Sequence, residues 1–197
     1  MTLASFSFII RTSAVYGVLA FSFSIIGLFL PGGHIPGDPI EASGLTVEHV
    51  LGHVIWGLIV GVFSFRFRYF VLAGLFPIIL DSDHLIQFLG IEMISRMAHS
   101  ITFGIIAAVV MMIIFGKKDI LLGTIALSAI FSHISYDVLL SGSTNFPLLA
   151  PFIRDRIDFG GLDWILYEVL AILIVLTISI LVRKKYRSIG KLNFRIK

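Results

Sequence analysis

Four stretches of this chain, Val54 to Phe65, Tyr69 to Leu80, Ile101 to Gly116 and Ile120 to Ser132, contain no Asp, Glu, His, Lys or Arg. They recur in 197 residues of which 57% are hydrophobic and 14% charged, whereas about a quarter of the residues in a soluble domain carry charge. An ordinary soluble fold is thereby excluded, and a mean hydropathy of +1.01 marks an integral membrane protein. Each crossing of a hydrocarbon core roughly 30 Å thick takes about 20 mostly apolar residues, so the length allows one domain of several spans and no soluble domain beside them.

Hydropathy and helix breakers predict six spans, at about 12–30, 47–65, 69–87, 99–116, 119–140 and 162–182, followed by a basic tail at 183–197. The expected fold is all-α, a polytopic membrane bundle forming a single domain over 1–197. Pro31, Gly32, Gly33, Pro36, Gly37 and Pro39 end the first span, Lys117 to Asp119 make a tight connection, and Ser141 to Gly161 a longer one. The first span is expected to be retained, because Leu30-Pro31-Gly32-Gly33 is not a small-x-small cleavage site.

Sorting Lys and Arg onto alternate sides puts Arg11, Arg66, Arg68, Lys117, Lys118 and the seven cations from Arg183 onward on one side. Arg96, Arg154 and Arg156 fall on the other. The bias predicts both termini in the cytoplasm of an inner or plasma membrane. The basic tail then reads as a membrane-surface anchor, and no nucleic-acid partner is expected.

In this topology the ionisable groups gather at the outer ends of the helices. Glu48, His49 and His53 open the second, Asp81, Asp83 and His84 close the third, and His99 opens the fourth just after Arg96. His133 and Asp137 approach the outer end of the fifth, and Asp163 and Glu168 start the sixth. Charged and imidazole groups inside a membrane are costly and mark function by default. Residues three or four apart share a helix face, so His49 with His53, Asp81 with His84, and His133 with Asp137 can each turn two ligands to one centre.

These residues read as a metal site of one or two divalent ions, with His49, His53, Asp81, Asp83, His84, His99, His133 and Asp137 as candidate ligands. The competing reading is a set of interhelical hydrogen bonds. Without a single Cys, the donors are imidazole and carboxylate, which suit Zn first and Mn or Mg after it. Asp81 and Asp83 cannot share an α-helical face, so one binds while the other orients a histidine, unless the helix stops at Leu80; Pro77 favours such unwinding. Glu168 is open between a ligand or general base and a buried partner of a histidine. Arg96 is open between a grip on an anionic substrate oxygen and a place among headgroups. His34 reads as a loop residue.

The motifs resemble the YdjM-like family of inner-membrane metal-dependent hydrolases. That pattern runs from an early helical His to Pro-Asp-x-Asp-His, then His-Arg-Gly-x-Thr-His-Ser, then Ser-His-x-x-x-Asp followed by Gly and Pro. Here the elements are His53, then Leu80-Asp81-Ser82-Asp83-His84, then Ser95-Arg96-Met97-Ala98-His99-Ser100, then Ser132-His133-Ile134-Ser135-Tyr136-Asp137, with Gly142, Pro147 and Pro151 beyond. Leu80 stands for the proline, Ser95 for the first histidine of the third element, and Met97 and Ala98 for Gly and Thr. His49 is the candidate substitute for the missing histidine.

The resemblance and the outer depth together imply a membrane-bound metal-dependent hydrolase. It would act on an ester or phosphoester of a membrane lipid or lipid-linked substrate, with Glu168, Asp83 and Arg96 as candidate base, carboxylate and phosphate contact. A metal or proton transporter is the rival class, disfavoured because the inner halves of the spans lack ionisable groups. A non-catalytic metal-stabilised scaffold is the third. No oligomeric state is specified.

Overall fold

The computed structural model describes residues 3–30, 35–36, 46–89, 93–116, 119–153 and 155–195. Among the described residues it is all-α in character, 80% helical with six α-helices. These are α1 (Leu3–Leu28), α2 (Val47–Val62), α3 (Phe67–Leu80), α4 (Ile101–Phe115), α5 (Ile120–Ser141) and α6 (Asp163–Arg195). Two short antiparallel ribbons accompany them among the described residues. In one, β1 (Ile35–Pro36) pairs with β2 (Met93–Ile94); in the other, β3 (Ser143–Phe146) pairs with β4 (Ile157–Gly160), Thr144 opposite Phe159 and Phe146 opposite Ile157. His34, Lys117, Lys118 and Arg154 lie outside the described residues.

Among the described residues, four segments are long and apolar enough to cross a membrane: Leu3–Leu28, Phe67–Ile86, Ile120–Ser141 and Asp163–Lys185. The helices α2 and α4, with 16 and 15 residues, rise only about 22–24 Å at 1.5 Å per residue. Expected boundaries shift at both ends of the chain. The first helix begins at Leu3, well before residue 12, because Arg11 sits on an exposed face and Thr12 Oγ1 donates to the Phe8 carbonyl at 2.7 Å inside a continuing helix. The last continues through the basic stretch to Arg195.

Local chemistry sets the starts and stops. Thr46, Ser100 and Asp119 cap α2, α4 and α5 by accepting from the N–H of His49, Phe103 and Leu122. Gly142, at φ 72°, ends α5 in the left-handed conformation that glycine adopts without a Cβ penalty. Asp119 also accepts from Tyr69 Oη at 2.6 Å and pairs with Arg68 at 3.4 Å, tying the start of α5 to the start of α3.

The bundle is built around α5, of whose span 83% is buried, against 28% for α1 and 22% for α6 on the periphery. Tyr16 of α1 stacks on Phe76 of α3, ring centroids 4.1 Å apart, and donates from Oη to the Ala126 carbonyl of α5 at 3.2 Å. Helices α2 and α3 approach still more closely: a Cβ on Gly57 would stand 2.0 Å from the Ala73 carbonyl oxygen. Contact of this kind depends on a small residue at the crossing, as in lipid-embedded helix pairs generally.

A candidate metal centre at one end of the bundle

Unwinding of α3 creates the site. Pro77 has no N–H to give the preceding turn, and after Leu80 the chain tightens into a 3₁₀ segment, Asp81–Leu89. The Asp81 N–H turns to the Ile78 and Ile79 carbonyls in place of that of Pro77. The Pro77 carbonyl is then open to another donor, and His133 Nδ1 reaches it from α5 at 2.8 Å. The α-helix stops at Leu80, so the constraint that kept Asp81 and Asp83 from acting together does not hold, and Asp81, Asp83 and His84 form one group of possible ligands.

Asp81 is the hub. Its Oδ2 lies 3.0 Å from His49 Nε2 and 3.6 Å from His53 Nε2. Its Oδ1 lies 3.4 Å from the Nε2 of His84 and 3.6 Å from those of His99 and His133. Asp137 divides in the same way, Oδ1 at 3.1 Å from His53 Nε2 and Oδ2 at 3.2 Å from His133 Nε2. Asp83 lies beneath, 3.6 Å from His99 Nδ1 and 3.8 Å from His84 Nε2. All eight candidate ligands therefore meet, from α2, the 3₁₀ segment, the turn Met97–His99 and α5.

Ring packing fixes the imidazole planes. His53 lies flat on His133, centroids 4.1 Å apart and planes 4° from parallel, with Tyr136 edge-on to His53 at 5.0 Å. His99 meets His133 edge-on at 4.5 Å and stacks against Phe146 at 5.7 Å. Gly52 makes room for Tyr136, whose Cζ would be 1.7 Å from a Cβ there, and Tyr136 Oη donates to the Glu48 carbonyl at 3.1 Å.

The donor set fits a metal ion. A carbonyl only accepts, so His133 Nδ1 carries the proton in the neutral ring, and its Nε2 presents a lone pair to two carboxylates. A metal-ligating histidine is usually held in this way, one nitrogen bonded to a carbonyl and the other free for the ion. His133 Nε2, His53 Nδ1, His84 Nδ1, His99 Nδ1 and both Asp83 oxygens are buried without a hydrogen-bond partner. Buried polar atoms are rarely left so. Four overlapping trios, His49/His53/Asp137, His53/Asp81/His133, His99/His133/Asp137 and Asp81/Asp83/His84, each bring their ligand atoms within 4.8 Å of one another. The buried cluster could hold a metal ion.

A cavity of about 200 Å³ opens over the cluster, lined by His49, Asp81, His84, His99 and Asp137 below and by Arg96, Leu140, Ser141, Ser143 and Thr144 around it. That is room for roughly six or seven waters. Of the candidate catalytic residues, Arg96 lines the cavity and Asp83 lies under it. Glu168 is not among the residues that line it: it is buried on α6, against the side of α5 that carries Ser132 and Ser135. Ser95 is also buried, and its Oγ faces α1, 2.0 Å from where a Gly27 Cβ would stand. Ser141, Ser143 and Thr144 escaped the sequence reading; the one local signal was their position just after the His133-to-Asp137 turn.

The class so defined is an all-α protein with, among the described residues, four helices long and apolar enough to cross a membrane and a buried His/Asp cluster that could hold metal. No family model, curated protein or solved structure matches the chain.

Proposed function

We propose that the chain is a membrane-bound metal-dependent hydrolase of the kind its motifs resemble. Its substrate is an ester or phosphoester of a lipid or lipid-linked molecule at the outer membrane–water interface. The observation that carries this reading is His133, whose Nδ1–H is committed to the Pro77 carbonyl while its Nε2 faces Asp81 and Asp137. A cation completes that arrangement, and the open cavity above supplies access.

The reading favours two ions. Eight His and Asp side chains exceed the three or four protein ligands of a single zinc, and Asp81 turns one oxygen to His49 and His53 and the other to His84, His99 and His133. His49, His53 and Asp137 would hold one ion and His99, His133 and Asp137 the other, with Asp81 facing both. Imidazole-rich ligation favours Zn over Mn or Mg. Bound there, such ions supply Lewis acidity toward a phosphoryl or carbonyl oxygen and make a neighbouring water more acidic.

The chain's own residues do the rest. Asp83 orients His84 and His99 from beneath, and Phe146 and Tyr136 hold the rings of His99 and His53. Leu140 offers an apolar wall to a lipid chain while Arg96 and the hydroxyls of Ser141, Ser143 and Thr144 face a polar headgroup. Six crossings, cytoplasmic termini and an outward-facing site belong to the same proposal, supported by the uneven distribution of Lys and Arg.

Elemental analysis of purified protein tests it, with an expected content of about two Zn- or Mn-type ions per chain. His133→Ala and Asp137→Ala should lose metal and hydrolysis of a phosphoester and lipid-ester panel together. Wild-type protein that takes up none of these metals under any loading condition would overturn the reading. Stoichiometric metal without turnover across the panel would favour the scaffold.

A further inference from the structure

The connection from α5 to α6 contains a run without a polar side chain, Phe146-Pro147-Leu148-Leu149-Ala150-Pro151-Phe152-Ile153. Asn145 precedes it and Arg154-Asp155-Arg156 follow, so the run is sharply bounded. Its side chains divide into two sets. Phe146, Leu148 and Ala150 are buried, whereas Leu149 is 44%, Phe152 83% and Ile153 49% exposed. The buried set ties the run to the site: Phe146 stacks against His99, and the Leu148 carbonyl accepts at 2.9 Å from the N–H of Ile101, the first residue of α4.

The backbone of the run makes little call on water. Pro147 and Pro151 have no N–H to satisfy. The N–H groups of Leu148 and Ala150 donate to the Phe146 and Pro147 carbonyls at 3.0 Å, and those of Phe152 and Ile153 to the Leu149 carbonyl at 3.0 and 3.1 Å. A connection in water can leave such groups to the solvent, but against lipid each unsatisfied one is costly. Large apolar side chains exposed together, with no charge among them, mark contact with a membrane or another protein. Lipid fits the run better, because it offers no polar or charged group for the rim of a specific protein interface. Exposed apolar side chains resume in sequence beyond the second ribbon, at Leu162, Ile165 and Leu166 on the largely exposed α6.

We propose that residues 146–153 form a membrane-seated loop, with Leu149, Phe152 and Ile153 inserted among lipid chains. Its partner is the lipid leaflet, at the level where headgroups give way to acyl chains, since irregular backbone does not enter the bilayer centre without protein around it. This membrane contact goes beyond the hydrolase reading and needs no metal in the cluster. It bears on the site through Phe146, which packs on His99, and through Thr144, two residues earlier, which lines the cavity. The cavity mouth is thereby held at the lipid surface, where a headgroup reaches it without leaving the leaflet.

Because the chain has no cysteine, single spin labels can be placed on it without background. Leu149→Cys and Phe152→Cys, both at exposed positions, are labelled in the full chain and reconstituted into phosphatidylcholine vesicles, with folding checked by helical circular dichroism. Leu166→Cys on α6 serves as the lipid reference and Asp158→Cys on β4 as the water reference, both positions being exposed. Collisions with oxygen, which is apolar and concentrates in lipid, are compared with collisions with a water-soluble nickel chelate. The expected ratio of oxygen to nickel collisions at 149 and 152 is severalfold above that at 158 and close to that at 166. A ratio matching 158 puts the loop in water and overturns the proposal. Low collision with both reagents puts the surface against protein, another copy of the chain where label–label broadening accompanies it, and overturns the proposal equally. None of these readings involves metal or turnover, so the hydrolase reading stands or falls separately.

Discussion

Replacing Asp81 by Asn keeps the shape of the side chain, removes its charge, and turns one of two acceptor oxygens into an N–H₂ donor. In the structure those oxygens serve opposite sides, Oδ2 toward His49 and His53, Oδ1 toward His84, His99 and His133, all between 3.0 and 3.6 Å. A structural zinc held by four ligands is worth about 10–16 kcal/mol, so one ligand carries about 2.5–4 kcal/mol. At about 1.4 kcal/mol per tenfold, that is roughly a hundred- to a thousandfold in affinity. Because Asp81 faces both sets, both ions should weaken together in Asp81→Asn. In Asp83→Asn, which disturbs only His84 and His99, the loss should be about ten- to a hundredfold, as for partners that orient a ligand. Dialysis against a series of buffered free zinc concentrations, with metal read by mass spectrometry and folding checked by helical circular dichroism, measures this. Folded Asp81→Asn protein that keeps both ions at wild-type affinity, or loses only one, would refute the shared-carboxylate argument.

Restoring the resembled motif by Ser95→His should cost about 1–3 kcal/mol by overpacking against α1 and add no metal; a gain in bound zinc would show that the side chain reaches the cluster after all. Gly57→Ala forces a Cβ to within 2.0 Å of the Ala73 carbonyl oxygen, whereas Gly17→Ala meets only the Ile79 Cγ2 at 3.3 Å. Thermal unfolding in detergent should therefore fall clearly more for the first than for the second, and equal shifts would contradict the α2–α3 contact. Glu168→Gln should leave metal content and hydrolysis unchanged, since the side chain lies beside Ser132 and Ser135 and does not line the cavity. Loss of either metal or hydrolysis would bring Glu168 into the site.

The helices were legible because apolar runs of this length have few alternatives in lipid, and the cluster because His and Asp at helical spacing have few reasons to sit together inside a membrane. What escaped the sequence depends on long-range or conformational detail. The 3₁₀ turn that aims Asp81 and frees the Pro77 carbonyl was suggested by proline alone. The second ribbon, with four residues in each strand, is too short to leave an alternating pattern, so Thr144 reads as loop. Glu168 looked equivalent to the other acids by depth, and only the facing of α6 against the serine side of α5 separates it. At Ser95, a motif position aligned in order is turned toward Gly27 in space.

X-ray absorption on zinc-loaded protein bears most directly on the paired metal centre. A paired centre in this cluster gives nitrogen and oxygen ligands only, at about 2.0–2.2 Å, with a metal–metal vector at about 3.5–4 Å. A spectrum of isolated zinc with no metal neighbour would contradict it.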